Sequence, residues 1–259
     1  MNFICKKRIS TMFRLNLSCK SILVVGASSG IGLSLIKTLK EYDNLKIGYH
    51  YSNSNSIEKS VNIFPIKKKL SNAKDCEELI QKYFDDVGYI DGLVVLCGGI
   101  HQCTHWDNID ELSWNADLFL NLSASFFLSR AMIRKAINNS TSSKIILFGT
   151  ESSLHGGGKD TFAYGVAKRG IECMVQGLAK EVAKYNITVN GIRPSFIDSG
   201  FHKRWKNNTD SDLKKRQELI PLKRPGTTNE VASLCLFLLS NQSNFITGQM
   251  IPITGGDWL

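Results

Sequence analysis

The apolar positions of this chain follow two alternating rhythms. Short runs of consecutive apolar residues at 22–25 and 93–96 predict strands buried on both faces, and 144–148 and 188–192 also read as strands. Strand-like runs at 46–51, 63–66 and 250–253 bring the set to seven. Between them, apolar residues recur at helical spacing over 31–40, 75–84, 114–138, 162–185 and 229–239. Strand and helix alternate along the chain. That order predicts the α/β class, a doubly wound parallel sheet of about seven strands with helices on both faces. Polar loops are expected at 52–56 and 151–160, the latter rich in glycine. Residues 195–224 are polar and basic, and are expected to form a lid over a substrate site. No Pro-, Gly- or Ser-rich linker divides the chain. One domain is expected over 21–259, after an N-terminal extension of residues 1–20, read as loose or disordered.

The first predicted strand runs into Gly26-Ala27-Ser28-Ser29-Gly30-Ile31-Gly32, which opens the first predicted helix. Glycines let the backbone turn tightly and approach a diphosphate closely. The helix N-terminus adds unpaired N–H groups and partial positive charge. This context makes the domain Rossmann-type and its ligand a dinucleotide. Such a site ordinarily has a carboxylate at the end of the second strand for a ribose 2′-hydroxyl. Here Tyr49-His50-Tyr51-Ser52 holds none, and Asp43 lies before the strand. A missing carboxylate removes repulsion against a 2′-phosphate, so the reading leans to NADP, with NAD left open. Tyr51 and Ser52 are the candidate contacts.

Composition narrows the function classes. A chain of 259 residues can bury about three quarters of its unfolded surface, enough for its own core. The net charge of +9 favours anionic partners. Seven cysteines, an odd count without a Cys-x-x-Cys, argue for a reducing compartment. No apolar run approaches the ~20 residues of a membrane span. Lys6, Lys7, Arg8, Arg14 and Lys20 crowd the start, with no acid before Glu41. A secretory signal would need an apolar run and a cleavage site that are lacking there. A cytoplasmic protein is expected, with an organelle presequence and a start at Met12 as alternatives.

Tyr164-Gly165-Val166-Ala167-Lys168 puts two side chains four apart, on one face of a helix. An ammonium beside a phenol is expected to lower the phenol's pKa. The phenol can then give a proton to a carbonyl oxygen as hydride arrives. With the glycine turn upstream, this pair points to nicotinamide chemistry. The chain here resembles the short-chain dehydrogenase/reductase family, from about Ser21 to its end. The resemblance is carried by the glycine turn, Asn121 in Phe119-Leu120-Asn121-Leu122, Tyr164 with Lys168, Asn190-Gly191-Ile192-Arg193-Pro194, and Ile246-Thr247-Gly248-Gln249 leading to Gly255-Gly256. Pro221-Leu222-Lys223-Arg224-Pro225-Gly226 and the tail look most like 3-oxoacyl-acyl-carrier-protein reductases.

The resemblance implies roles. Tyr164 is the general acid/base, and Lys168 binds the nicotinamide ribose and tunes it. Asn121 holds a water of the proton relay. Thr150 stands where a substrate-polarising serine is expected, with Ser152 as the fallback. The cofactor would rest on Gly26, Ser28, Ser29, Gly30, Ile31 and Gly32, and on Leu70, Cys97, Gly98 and Gly99. Ile197 and Ser199 would line its nicotinamide. Several positions depart from the pattern. Cys97-Gly98-Gly99 replaces Asn-Ala-Gly, Lys69-Leu70 stands where an acid meets the adenine, and Pro194-Ser195 replaces Pro-Gly.

Two other signals carry less. His101-x-Cys103-x-His105 has too few ligands for zinc, so no metal is expected. Lys203-Arg204-Trp205-Lys206 is too short for a nucleic-acid patch and is read as part of the lid. The expected enzyme moves hydride between NAD(P)(H) and a ketone or secondary alcohol. Its substrate would be small or carrier-linked and anionic, such as a 3-oxoacyl thioester. A sugar or polyol ketone is the alternative, as is a degenerate dinucleotide-binding member with little catalysis. Neither nucleic acid nor membrane is an expected partner. A homo-tetramer or homo-dimer is implied, through helices around 105–138 and 162–185.

Overall fold

A computed structural model of the chain describes residues 15–28, 30–53, 57, 59–206 and 209–257, with the side chains of 205 and 206 excepted. The expectations for Ser29, Met12, most of the N-terminal extension and the side chains of Trp205 and Lys206 lie outside the described residues. The seven expected strands form one parallel sheet: β1 (Ser21–Val25), β2 (Lys46–Tyr51), β3 (Ile63–Lys67), β4 (Gly92–Val95), β5 (Ser143–Phe148), β6 (Ile187–Pro194) and β9 (Met250–Ile253). Its order is β3-β2-β1-β4-β5-β6-β9. β1, β4 and β5 are buried along their whole length, as strands with helices on both faces must be, and β5 buries Ser143 and Lys144 with its apolar residues. The order reverses between β1 and β4. In open sheets of this kind, ligands bind beyond the carboxyl ends of the strands at such a reversal.

Helices cover both faces. On one face α1 (Gly30–Leu39) and α8 (Thr228–Leu239) pack Leu35, Ile36, Val231 and Leu236 against Ile22, Val24 and Val94. On the other, α2 (Ala73–Val87), α4 (Ala124–Asn138) and α5 (Phe162–Val182) cover Leu23, Val25 and Leu93. α2 is longer than its 75–84 pattern. The Asn72 side chain accepts from Asp75 N–H to start it, and Gly88 ends it at a φ of 87°. The run expected to be helical over 114–138 is α3 (Glu111–Leu118), a widened π-type turn (Phe119–Ser123) and then α4. The run over 162–185 is α5 and one tighter turn, Ala183–Tyr185.

The segment 195–224 is not irregular. It holds β7 (Ile197–Asp198), α6 (Phe201–Lys206) and α7 (Asp210–Glu218). β7 then pairs in parallel with β8 (Gly226–Thr227), which closes the excursion at its base. Packing also begins before β1. Leu17 bridges Ser240, Cys19 is buried, and Asp91 accepts from the N–H groups of Lys20 and Ser21. No helix among the described residues is long and apolar enough to cross a membrane.

Candidate active site

The glycine turn joins β1 to α1 at the reversal of strand order. Gly26 has a φ of 83°, and a Cβ there would stand 2.8 Å from the backbone nitrogen of Cys97. A Cβ on Gly32 would meet Ala27 Cα at 2.6 Å. Gly30 has a φ of 54° and lies against Ser199, whose backbone oxygen would be 3.1 Å from a Cβ. These positions need glycine for backbone conformation and for close approach. The cradle they leave fits a dinucleotide diphosphate at a helix N-terminus.

Asn121 sits inside the widened turn between α3 and α4, fully buried. A π-type turn re-aims a side chain and is frequent at functional sites. Asn121 Nδ2 donates to the carbonyls of Gly99, at 2.7 Å, and Asp117, at 3.0 Å. Its Oδ1 accepts from Gly99 N–H at 3.0 Å. Asn121 therefore fixes the loop after β4. Gly98 is pressed between it and Lys168: a Cβ there would stand 2.9 Å from Asn121 Oδ1 and 3.1 Å from Lys168 Nζ.

α5 carries Tyr164 and Lys168. Lys168 Nζ donates to the Phe148 carbonyl, at the end of β5, at 3.0 Å. It lies 5.9 Å from the centre of the Tyr164 ring. Burial lowers the Lys168 pKa to about 8, against a small opposing effect of Cys97. The expectation that Lys168 lowers the Tyr164 pKa is not met here. Burial raises the phenol above its ordinary range, Asp117 adds to the rise, and only a hydrogen bond with Thr150 opposes it. The reason is desolvation, which disfavours phenolate and ammonium alike. Cys97 is raised to about 11 by burial, so its thiol is neutral.

A cavity of about 440 Å³ opens beyond the ends of β4, β5 and β6. It brings together Ile31, Gly98, Thr150, Tyr164, Lys168, Ile197 and Ser199 from the expected set, with Ser152 beside them. Thr150 Oγ1 and Ser152 Oγ are 3.3 Å apart. Asn121 stands behind Gly98 and Gly99, outside the wall. Tyr51 and Ser52 lie at the end of β2, where Tyr51 is paired with Lys67, and do not line this cavity. Leu70 is buried in the core on the face covered by α2.

Sequence reasoning missed several partners. Glu151, next to Thr150, is buried and accepts from Arg193 Nε at 2.6 Å. Arg193 also reaches Glu172 of α5 at 3.3 Å, so one guanidinium ties the Thr150 loop to β6 and α5. In the lid, Arg216 of α7 binds Asp257 through both carboxylate oxygens, and Ser195 Oγ donates to the same carboxylate. Phe196, Phe201, His202, Leu213 and Arg216 form the outer cavity wall. The backbone N–H of His101 donates to Asp117 Oδ1, and the His105 ring accepts from Asp107 N–H to cap the turn Trp106–Asn108.

Comparison with known proteins follows the same outline. A family model described as enoyl-(acyl carrier protein) reductase matches residues 26–257. The chain is 30% identical over 246 residues to the 3-oxoacyl-[acyl-carrier-protein] reductase FabG of Buchnera aphidicola subsp. Baizongia pistaciae (strain Bp), covering 93% of this chain and 98% of that protein. It is 31% identical over 245 residues to the protein of the same name from Chlamydia muridarum (strain MoPn / Nigg), covering 92% and 96%. Among solved structures, a short chain dehydrogenase family protein from Francisella tularensis subsp. tularensis SCHU S4 superposes with a TM-score of 0.80 at 27% identity, covering 92% of this chain and 98% of the other.

Proposed function

Because the chain belongs to the short-chain dehydrogenase/reductase family, and is thus an NAD(P)-dependent oxidoreductase, we propose that it reduces the 3-oxo group of a carrier-linked acyl thioester with NADPH. The observation that carries this reading is the cavity. Tyr164, Thr150 and Lys168 form its polar floor, while Ile100, Phe148, Phe196, Phe201 and Leu213 give it apolar walls. A ketone oxygen can meet the floor while an alkyl chain lies along the walls. Arg216 faces the same cavity, but Asp257 takes its charge. An anionic carrier would therefore stay outside, where Lys214 and Lys215 are exposed on α7.

The residues divide the work. The glycine turn binds the diphosphate through backbone N–H groups. The nicotinamide, when bound, supplies the hydride. Thr150 Oγ1 donates to the substrate carbonyl, which fixes its orientation and polarises it. Tyr164 donates its phenolic proton to that oxygen as the alkoxide forms. Its raised pKa keeps it protonated and ready to do so. Lys168 holds the ribose. Asn121 fixes Gly99 and orders the wall through which the proton is replaced. Ile197 and Ser199 flank the nicotinamide, while Tyr51, Ser52 and Leu70 surround the adenosine end.

The same reading makes the protein cytoplasmic and a homo-tetramer or homo-dimer, joined through α4 and α5. Phe126 on α4, with Phe162 and Val166 on α5, exposes apolar surface there. The test is to follow nicotinamide absorbance with NADPH or NADH, against acetoacetyl-CoA, an acyl-carrier-protein thioester and a panel of sugar and polyol ketones. Turnover of the thioesters with NADPH is the expected result. Preferential turnover of a sugar ketone overturns the substrate, and dinucleotide binding without any turnover overturns the chemistry.

A further inference from the structure

His50 stands at the end of β2, 2% exposed, and its ring joins three segments of the cofactor site. Its Nδ1 accepts from the N–H of Gly26, the first residue of the glycine turn, at 3.3 Å. Its Nε2 lies 2.7 Å from the carbonyl oxygen of Lys68, in the loop after β3. A carbonyl can only accept, so Nε2 carries the proton. An N–H can only donate, so Nδ1 must keep its lone pair. The two bonds together require neutral imidazole in one tautomer. The backbone repeats the joint: Ala27 N–H donates to the His50 carbonyl at 3.0 Å, and Lys68 N–H donates to the Tyr51 carbonyl at 3.1 Å.

We infer that His50 is a positioning residue for the adenosine half of the dinucleotide site, and that protonating its ring releases the dinucleotide. The inference rests on the proposed function. A diphosphate sits on the N–H groups of the glycine turn, and its ribose sits at the end of the second strand. Those are the segments His50 holds in register. Gly26 has no side chain with which to hold itself. A proton on Nδ1 would set one donor against another at Gly26, and either the ring or the turn must move.

The surroundings give an imidazolium no support. His50 pairs with Val25 and Ile66 in the sheet and so shares the face covered by α2. From α2, Asp75 and Glu78 are both engaged by Lys68 Nζ. The thiol of Cys76 on α2 is raised to about 12 and that of Cys97, after β4, to about 11, so both are neutral. Lys68 itself is a cation, and Lys67 at the end of β3 is another, exposed. Burial accordingly holds the His50 pKa below its ordinary value, against the smaller opposing effect of the Lys68 carbonyl.

The test compares the wild-type protein with His50→Asn, which keeps an acceptor for Gly26 and cannot titrate. NADP+ and NAD+ affinities are measured by titration across pH about 5 to about 8. Wild-type affinity is expected to fall as pH drops below the His50 pKa, by up to about tenfold per pH unit. His50→Asn is expected to lose that acid limb. The 2′-phosphate of NADP+, with its own pKa near ~6, titrates in both proteins and cancels in the comparison. In turnover, the KM for dinucleotide should carry the difference while kcat does not. An acid limb that persists unchanged in His50→Asn overturns this inference alone. Failure to bind either dinucleotide at any pH overturns the proposed function as well. Should the variant not fold, NMR on the wild-type protein decides: the Gly26 amide signal must move as the His50 ring titrates, and an unmoved signal overturns the inference.

Discussion

Lys168 Nζ donates to the carbonyl oxygen of Phe148 at 3.0 Å. That bond turns one of the three ammonium donors to the end of β5. Burial holds the Lys168 pKa at about 8 against an ordinary value of 10.5. Between those two values the unfolded chain binds more protons than the native one, so stability rises with pH across that window. Below about 8 both states are protonated and the dependence ends. Lys168→Met should remove this rise. Denaturant midpoints for the two proteins, measured from neutral to alkaline pH, check it: a midpoint difference that stays constant with pH refutes the assignment.

Tyr164→Phe should reduce turnover by about 10²–10⁴-fold, the usual worth of a positioned general acid. The ring's packing is unchanged, including its contact with Phe201 at 5.9 Å between centroids. Dinucleotide affinity should therefore stay near the wild-type value. Comparable turnover in Tyr164→Phe would show that another group gives the proton.

Thr150 and Ser152 compete for one role, and their oxygens are only 3.3 Å apart. Thr150 is the one whose hydroxyl favours the ionised Tyr164 phenol, against the rise caused by burial. Thr150→Ala should lower kcat by about 10²–10³-fold, the cost of losing a donor to a developing oxyanion. Thr150→Ser should keep most of the rate, and Ser152→Ala should cost less than Thr150→Ala. Steady-state kinetics of the three variants settles the order, and a larger loss in Ser152→Ala would reverse the assignment.

Gly98→Ala should destabilise the protein by about 1–3 kcal/mol, the usual cost of overpacking. The added carbon would stand 2.9 Å from Asn121 Oδ1 and 3.1 Å from Lys168 Nζ. Dinucleotide affinity should fall with it. Thermal unfolding and a dinucleotide titration report the two effects, and an unchanged Tm would mean that Lys168 moves aside freely.

The fold is legible because burial on both faces of a parallel sheet leaves an unbroken apolar signature, as at Ile22–Val25 of β1 and Leu93–Leu96 at β4. The glycine turn was legible because its chemistry is local: a strand, a tight turn and a helix follow one another in sequence. Tyr164 and Lys168 were legible for the same reason, four residues apart on one helix. What stayed hidden depends on distant residues meeting. His50 joins Gly26 to Lys68 across three strands, and nothing in Tyr49-His50-Tyr51 announces it. Arg193 finds Glu151 and Glu172 only when β6, the loop after β5 and α5 come together. The π-type turn at Asn121 was hidden because its residues keep helical spacing on both sides. The direction of the Tyr164 shift is not legible because two residues suggest a Coulomb effect, whereas burial is a property of the whole site.

The β7–β8 pair has an evolutionary consequence. Ile197–Asp198 and Gly226–Thr227 hold the two ends of the lid side by side, so everything between them is a cassette mounted on a finished scaffold. Lengthening such a closed segment costs only about 0.6 kcal/mol per doubling. The cassette can therefore be exchanged for one of another size or chemistry while β6, β9 and the catalytic helix stay as they are. Descent with change of substrate would write its record here first, and a graft between relatives would take these four residues as its seams.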